Sequence, residues 1–140
     1  MAKSFRCSIV TPMQTVLDDE ITYASVPAWD GQLGVMTSQS PTLTKLGIGA
    51  LRLDFEEGGS RWYLIEGGFA QIASDHLNII TDRATASERL SLAEAESELD
   101  EANGRVVVGG KGHAQAEVDQ RRALAKVALA RAAAGRGHAI

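Results

Sequence analysis

The sequence predicts a β-sandwich N-terminal domain followed by a C-terminal antiparallel α-helical hairpin. Three observations predict it. Short stretches with period-two alternation fill the chain up to about residue 86; spacings of three and four take over beyond residue 88; and a glycine-rich link divides the helical part in two. The expected domains are residues 1–86 and 87–140.

The strands come first. Phe5 to Val10 reads as an opening strand, reached directly from Met1 without an apolar signal region, and Ile21 to Val26 as another. Trp29 to Val35 looks like a tight hairpin around Asp30-Gly31. Leu51, Leu53 and Phe55 alternate with Arg52, Asp54 and Glu56, as in a half-buried strand. Glu57-Gly58-Gly59-Ser60 reads as a turn into a returning strand, Arg61 to Glu66, which places Trp62 in the core and is broken or bulged at Gly67-Gly68. After a turn at Ser74-Asp75-His76, Leu77, Ile79 and Thr81 alternate with Asn78, Ile80 and Asp82. Many short strands without intervening helices are the pattern of a sandwich or barrel.

The helices follow. Leu92, Ala95, Leu99, Ala102 and Val106 form one narrow stripe. Ser91 with Glu94 three residues on is a capping box, and Asn103-Gly104 is the expected helix end. Gly109-Gly110-Lys111-Gly112 is the link, and a second helix is expected from about Ala114 to Ala134, ended by Gly135-Arg136-Gly137. Its expected apolar side is Val118, Ala125, Leu129 and Ala132, with Arg122 in the same row. From Glu88 to Asn103 six acids face one base; from Ala114 to Ile140 five bases face two acids. Two oppositely charged arms should attract, weakly and subject to salt, and the alanine-rich stripe should bury little area.

Composition narrows the function. The 140-residue chain is 44% hydrophobic with a net charge of -4, so it can bury a core and has no general attraction for nucleic acid. The lone Cys7 excludes an intramolecular disulfide and reads as a small buried residue. No stretch has the length and apolarity of a transmembrane helix, so membrane association would run through another protein. His76, His113 and His138 lack Cys, Asp or His partners at metal-ligand spacing; His76 is expected solvated in its turn, His113 in the link and His138 in a frayed tail. A P-loop would need glycine at 105 and a hydroxyl at 112, where Arg105 and Gly112 stand. The acids Glu94, Glu98, Asp100 and Glu101 read as a solvated helix face. No catalytic, cofactor or metal residues are assigned, and the chain is not expected to be an enzyme.

The order of strands, helix, link and helix resembles the epsilon subunit of F-type ATP synthases, which is similar to the delta subunit of the mitochondrial enzyme. The resemblance is carried by Phe5 to Pro12, by Asp30 to Met36 with Ser40 to Thr44, by Tyr63 to Ala70 and by Leu77 to Ala84. It implies a non-catalytic central-stalk subunit that couples rotation of the catalytic head to ion flow through the c-ring. It also implies inhibition of ATP hydrolysis through the C-terminal helices.

The resemblance places Asp30, Gly31 and Gln32 against the c-ring, and Ser38, Gln39, Ser40 and Pro41 near the gamma subunit. It makes Arg121, Arg122, Lys126 and Arg131 candidates for an acidic segment of the beta subunit in the alpha/beta head. The alternative for these cations is a solvated face paired to the acidic first helix. The implied location is the cytoplasmic face of the bacterial inner membrane, held there peripherally by the complex.

Two departures from the family pattern stand out. Gln39 occupies a position where many relatives carry histidine. The stretch Leu90 to Ala95 has Ser91 and Glu94 where nucleotide-binding relatives carry Asp and Arg, so ATP binding is not expected. The competing reading is a stand-alone β-sandwich module binding a glycan or peptide, with Trp29 and Trp62 available for stacking.

Overall fold

The structure is a computed structural model that describes residues 3–108, 110 and 112–138, with backbone only at 107, 108 and 133–138. Gly109 and Lys111 of the expected link, Met1 and Ala2, and the side chains of Arg136 and His138 lie outside the described residues. The chain divides into two compact units, Met1–Thr85 and Ala86–Ile140.

The first unit holds β1 (Phe5–Val10), β2 (Thr15–Ala28), β3 (Gly31–Val35), β4 (Thr42–Phe55), β5 (Ser60–Ala73), β6 (His76–Ile80) and the start of β7 (Ala84–Ala86). The order is β1-β6-β5-β4-β2-β3, with β7 on β5, and β1 also pairs β2, which closes the strands into a barrel-like sandwich. Strand β2 makes the closure. Its first half pairs β1 from Val10↔Thr15 to Phe5↔Ile21, and its second half pairs β4 and β3. Register shifts at Ile21/Tyr23 and Ser25/Ala28 bend it from one layer to the other.

The expected alternations hold at most positions: Leu51, Leu53, Leu77, Ile79 and Thr81 point inward, Arg52, Glu56, Ile80 and Asp82 are exposed, and Asp54, Phe55 and Asn78 are half-buried. Ile9, Ile21, Leu64 and Ile65 complete a core of fully buried aliphatics, each contributing roughly 1.5–3 kcal/mol by its removal from water. Cys7 is buried among them, and desolvation pushes its thiol up to about 12, so it is inert.

Three expectations change. Trp62 is not core: it pairs with Arg52 across β4 and β5 and is half-buried, with the Arg52 guanidinium 5.5 Å from its ring centroid. Tyr63 faces inward opposite the buried Leu51, so alternation turns Trp62 to the other face. Gly67-Gly68 does not end its strand; β5 keeps one register with β4 from Asp54↔Ser60 to Thr42↔Ile72. Gly68 is there for close approach, since a Cβ would collide with the Ile80 carbonyl oxygen and lie 2.7 Å from the Thr81 Cα. His76 opens β6 instead of lying loose in a turn, and its exposed ring is tied to β1, as described below.

The second unit holds a 3₁₀ turn (Ser87–Arg89), α1 (Leu92–Val108) and α2 (His113–His138). The Ser91 hydroxyl accepts the Glu94 N–H at 3.3 Å, which is the N-cap half of the expected capping box. Helix α1 runs through Asn103-Gly104 to Val108. A helical glycine costs only about 1 kcal/mol, and the turn is held by Asn103 accepting from Gln120 at 2.7 Å and Arg105 donating to Asp119 at 2.9 Å. The backbone of α2 starts at His113 and stays helical through Gly135 to His138, because propagation adds a hydrogen bond for each residue fixed.

The buried side of α2 is Ala116, Ala123, Val127, Leu129 and Ala130; of the expected row Leu129 is buried, Val118 and Ala125 are half-buried and Ala132 is exposed. Alanine lies on almost every face of this helix, so period alone marks no side. On α1, Ala95 and Ala102 of the expected stripe are buried.

Candidate functional site

Strand β3 separates two exposed features of the first unit. At its start, Trp29-Asp30 forms a two-residue turn from β2, and Gly31 has φ 136°, a conformation that favours glycine. The base of the turn is tied down. Trp29 N–H donates to the Lys45 carbonyl at 2.9 Å, Ser25 donates to Gln32 Oε1 at 2.8 Å, and Gln32 Nε2 donates to the Ala50 carbonyl at 3.4 Å. The tip carries Asp30, exposed, and Trp29 at 68% exposure. A turn tied at its base, with an aromatic and a carboxylate exposed at its tip, has the chemistry of a docking element.

At the other end of β3, five residues on and so about 15 Å away, residues 36–41 lead into β4. Ser38, Ser40 and Pro41 are exposed and Gln39 is half-buried. Ser38 has φ 61°, and its N–H donates to Asp75 Oδ1 at 2.8 Å; Thr42 donates to the Ser40 carbonyl at 2.9 Å. The sequence marks Asp75 as part of a turn but not as a partner of Ser38, because nothing local links it to a loop 37 positions away.

Lys45, Phe69 and Ile80 form a cross-strand row on β4, β5 and β6, with Phe69 52% and Ile80 50% exposed. Exposed Leu43 lies two residues before Lys45 on β4. The placement of Ile80 in the outward phase of its strand was the one sequence signal for this apolar face.

In the second unit, charge joins the two helices. Arg105 Nη1 meets Asp119 Oδ2 at 2.9 Å, Lys126 Nζ meets Glu98 at 3.0 Å and Arg131 meets Glu96 at 3.3 Å. Partner numbers rise along α2 as they fall along α1, so the hairpin is antiparallel. Asp119 also accepts from Arg122 at 2.9 Å and Gln115 at 3.0 Å. The hydrogen bond from Arg105, then those from Gln115 and Arg122, hold its carboxyl below the usual range. Of the four candidate cations, Arg122, Lys126 and Arg131 are engaged with hairpin carboxylates; Arg121 is exposed and in none of these pairs.

One arrangement resembles a nucleophile and base: Ser8 Oγ lies 2.7 Å from His76 Nε2. The Ser8 hydroxyl also lies 3.3 Å from Asn78 Oδ1, and when it donates there the imidazole N–H donates to Ser8, the reverse of the direction a base requires. Among the described residues no cluster of His, Cys, Asp and Glu could hold a metal ion, and no helix is long and apolar enough to cross a membrane.

Known proteins place this geometry. Residues 4–87 match the family described as ATP synthase, Delta/Epsilon chain, beta-sandwich domain. The ATP synthase epsilon chain of Rhodopirellula baltica is 42% identical over 71% of this chain and 77% of its own length. That of Nitratidesulfovibrio vulgaris strain DP4 is 30% identical over 91% of this chain and 96% of its own. A chain in the Euglena gracilis mitochondrial ATP synthase, seen in an OSCP/F1/c-ring structure, shares the fold with a TM-score of 0.81 at 20% identity, covering 94% of this chain and 81% of that one. The β-sandwich and helical hairpin, with the length of agreement to these epsilon chains, show that this chain belongs to the ATP synthase delta/epsilon family, among the epsilon chains.

Proposed function

We propose that the chain is a non-catalytic rotor subunit that couples the catalytic head to the c-ring and restrains ATP hydrolysis through its hairpin. The observation that carries this reading is the agreement with an epsilon chain over 91% of this chain and 96% of that relative, which takes in both units. The first unit docks. The turn at Asp30, Gly31 and Gln32 meets the c-ring, and Ser38, Gln39, Ser40 and Pro41 meet the gamma subunit. The second unit regulates: Arg121, Arg122, Lys126 and Arg131 meet an acidic segment of the beta subunit in the alpha/beta head. Three of these cations already hold carboxylates of the hairpin, so engagement exchanges Asp119, Glu98 and Glu96 for partner carboxylates at similar local cost. Peripheral attachment to the cytoplasmic membrane face follows from the complex.

ATP plays no part in this reading. The Ser91 hydroxyl is spent on the helix cap, and exposed Glu94 presents a charge that repels phosphate. Saturable ATP binding in calorimetry would overturn that element. A glycan-binding module is not favoured, because Trp62 is engaged with Arg52.

The test is reconstitution of the full chain with the catalytic head and gamma. The chain is expected to co-purify with gamma, and the Arg121→Glu, Arg122→Glu double variant to raise steady-state hydrolysis. Absence of gamma binding overturns the rotor reading; unchanged hydrolysis overturns the inhibitory one.

A further inference from the structure

Asp75 belongs to the hairpin between β5 and β6, yet its carboxylate serves the segment between β3 and β4. Oδ1 accepts the Ser38 N–H at 2.8 Å. Asp75 is itself well placed to act as an anchor. It sits with Ser74 in a two-residue turn, both at positive φ (57° and 51°), and its carbonyl accepts the Arg6 N–H from β1 at 3.1 Å. The turn is thus fastened to the sandwich by its backbone, leaving the carboxylate to hold the neighbouring segment.

Ser38 needs holding. Its φ of 61° is a conformation that a non-glycine residue adopts only when its surroundings impose it. The charge-assisted hydrogen bond that Ser38 N–H donates to Asp75 supplies that constraint at the residue that turns the chain toward Gln39, Ser40 and Pro41.

We propose that Asp75 is the positioning residue of the Ser38–Pro41 segment, presetting the shape in which that segment meets the gamma subunit. The proposal rests on the assignment of this segment to gamma. Preordering a docking loop raises affinity by removing the cost of ordering it on binding.

The test uses two variants of the full chain. Asp75→Gly removes the carboxylate while suiting the positive φ, and Asp75→Asn keeps both an Oδ1 acceptor and tolerance of that φ. Two readouts are taken: amide hydrogen exchange at Ser38 and Gln39 in the free chain, and affinity for gamma. Asp75→Gly is expected to speed exchange at Ser38 and weaken gamma binding by about three- to tenfold, with only a small fall in melting temperature because glycine relieves the positive φ at position 75. Asp75→Asn is expected to restore both. Unchanged exchange in Asp75→Gly overturns the positioning role itself. Faster exchange with unchanged gamma affinity overturns the assignment of the segment to gamma while the hydrogen-bond role stands.

Discussion

The two units are held together by different means. The sandwich buries large aliphatics completely, among them Ile9, Ile21, Leu64 and Ile79, in a closed set of strands. The hairpin buries mostly alanine: Ala95, Ala102, Ala116, Ala123 and Ala130, with Val127 and Leu129. Alanine removes far less area from water than leucine or isoleucine, so the hairpin relies more on helix propensity, its cap and cross-helix charge. The difference teaches how a sandwich packed on large aliphatics and a hairpin packed mostly on alanine can share one chain. Its two tryptophans, Trp29 and Trp62, both lie in the sandwich, so fluorescence follows that unit while helical circular dichroism follows the arm.

The comparison breaks most visibly in the sandwich core. Leu64→Ala should cost about 2–5 kcal/mol, read as a lower urea midpoint in tryptophan fluorescence. A loss as small as that of a surface substitution would mean the core is not tightly packed. In the hairpin, Ala123→Gly should cost about 1 kcal/mol and lower the helical signal at intermediate denaturant while leaving the fluorescence midpoint in place. Coincident shifts of both probes would show that the units unfold together.

Smaller still is the cross-helix pair of Lys126 and Glu98. Glu98→Gln should cost about 0.2–1 kcal/mol in the helical signal, with the difference shrinking as salt rises. Finally, Asp119 has a folded pKa below its unfolded value, so its contribution is full above the unfolded pKa of about 3.9 and is lost as pH falls through the lower folded value. Asp119→Asn should flatten that part of an acid titration of helicity, and an unchanged titration would discount the carboxylate's role.

Much of the fold was legible because it is written in local contrast. Leu51 and Leu53 against Arg52, or Leu77 and Ile79 against Ile80 and Asp82, place apolar and polar or outward residues in alternation, and Ser91-Glu94 announces a helix start within four residues. The long reach of β2 and β4 was less legible: the acids Asp18, Asp19 and Glu20 and the run Gly47-Ile48-Gly49-Ala50 interrupt alternation, and cross-strand pairing carries the strands through. Asp30-Gly31 was legible as a turn for the same local reason. So was the turn at Ser74-Asp75, but the hold of Asp75 on Ser38 was not, since it depends on two hairpins meeting at one end of the sandwich.

The sequence by itself determined the two-part architecture, the turn at Asp30, the cap at Ser91 and the opposed charges of the helices. Only the tertiary structure decided that Trp62 faces outward on Arg52, that α1 continues through Gly104, which side of α2 is buried, and that Asp75 holds Ser38. The physical reason is contrast and range. Alternation and capping are set by neighbours a few residues apart, whereas an alanine-covered helix has no contrast to choose a face. Register, close packing and a hydrogen bond across 37 positions exist only once distant strands have met.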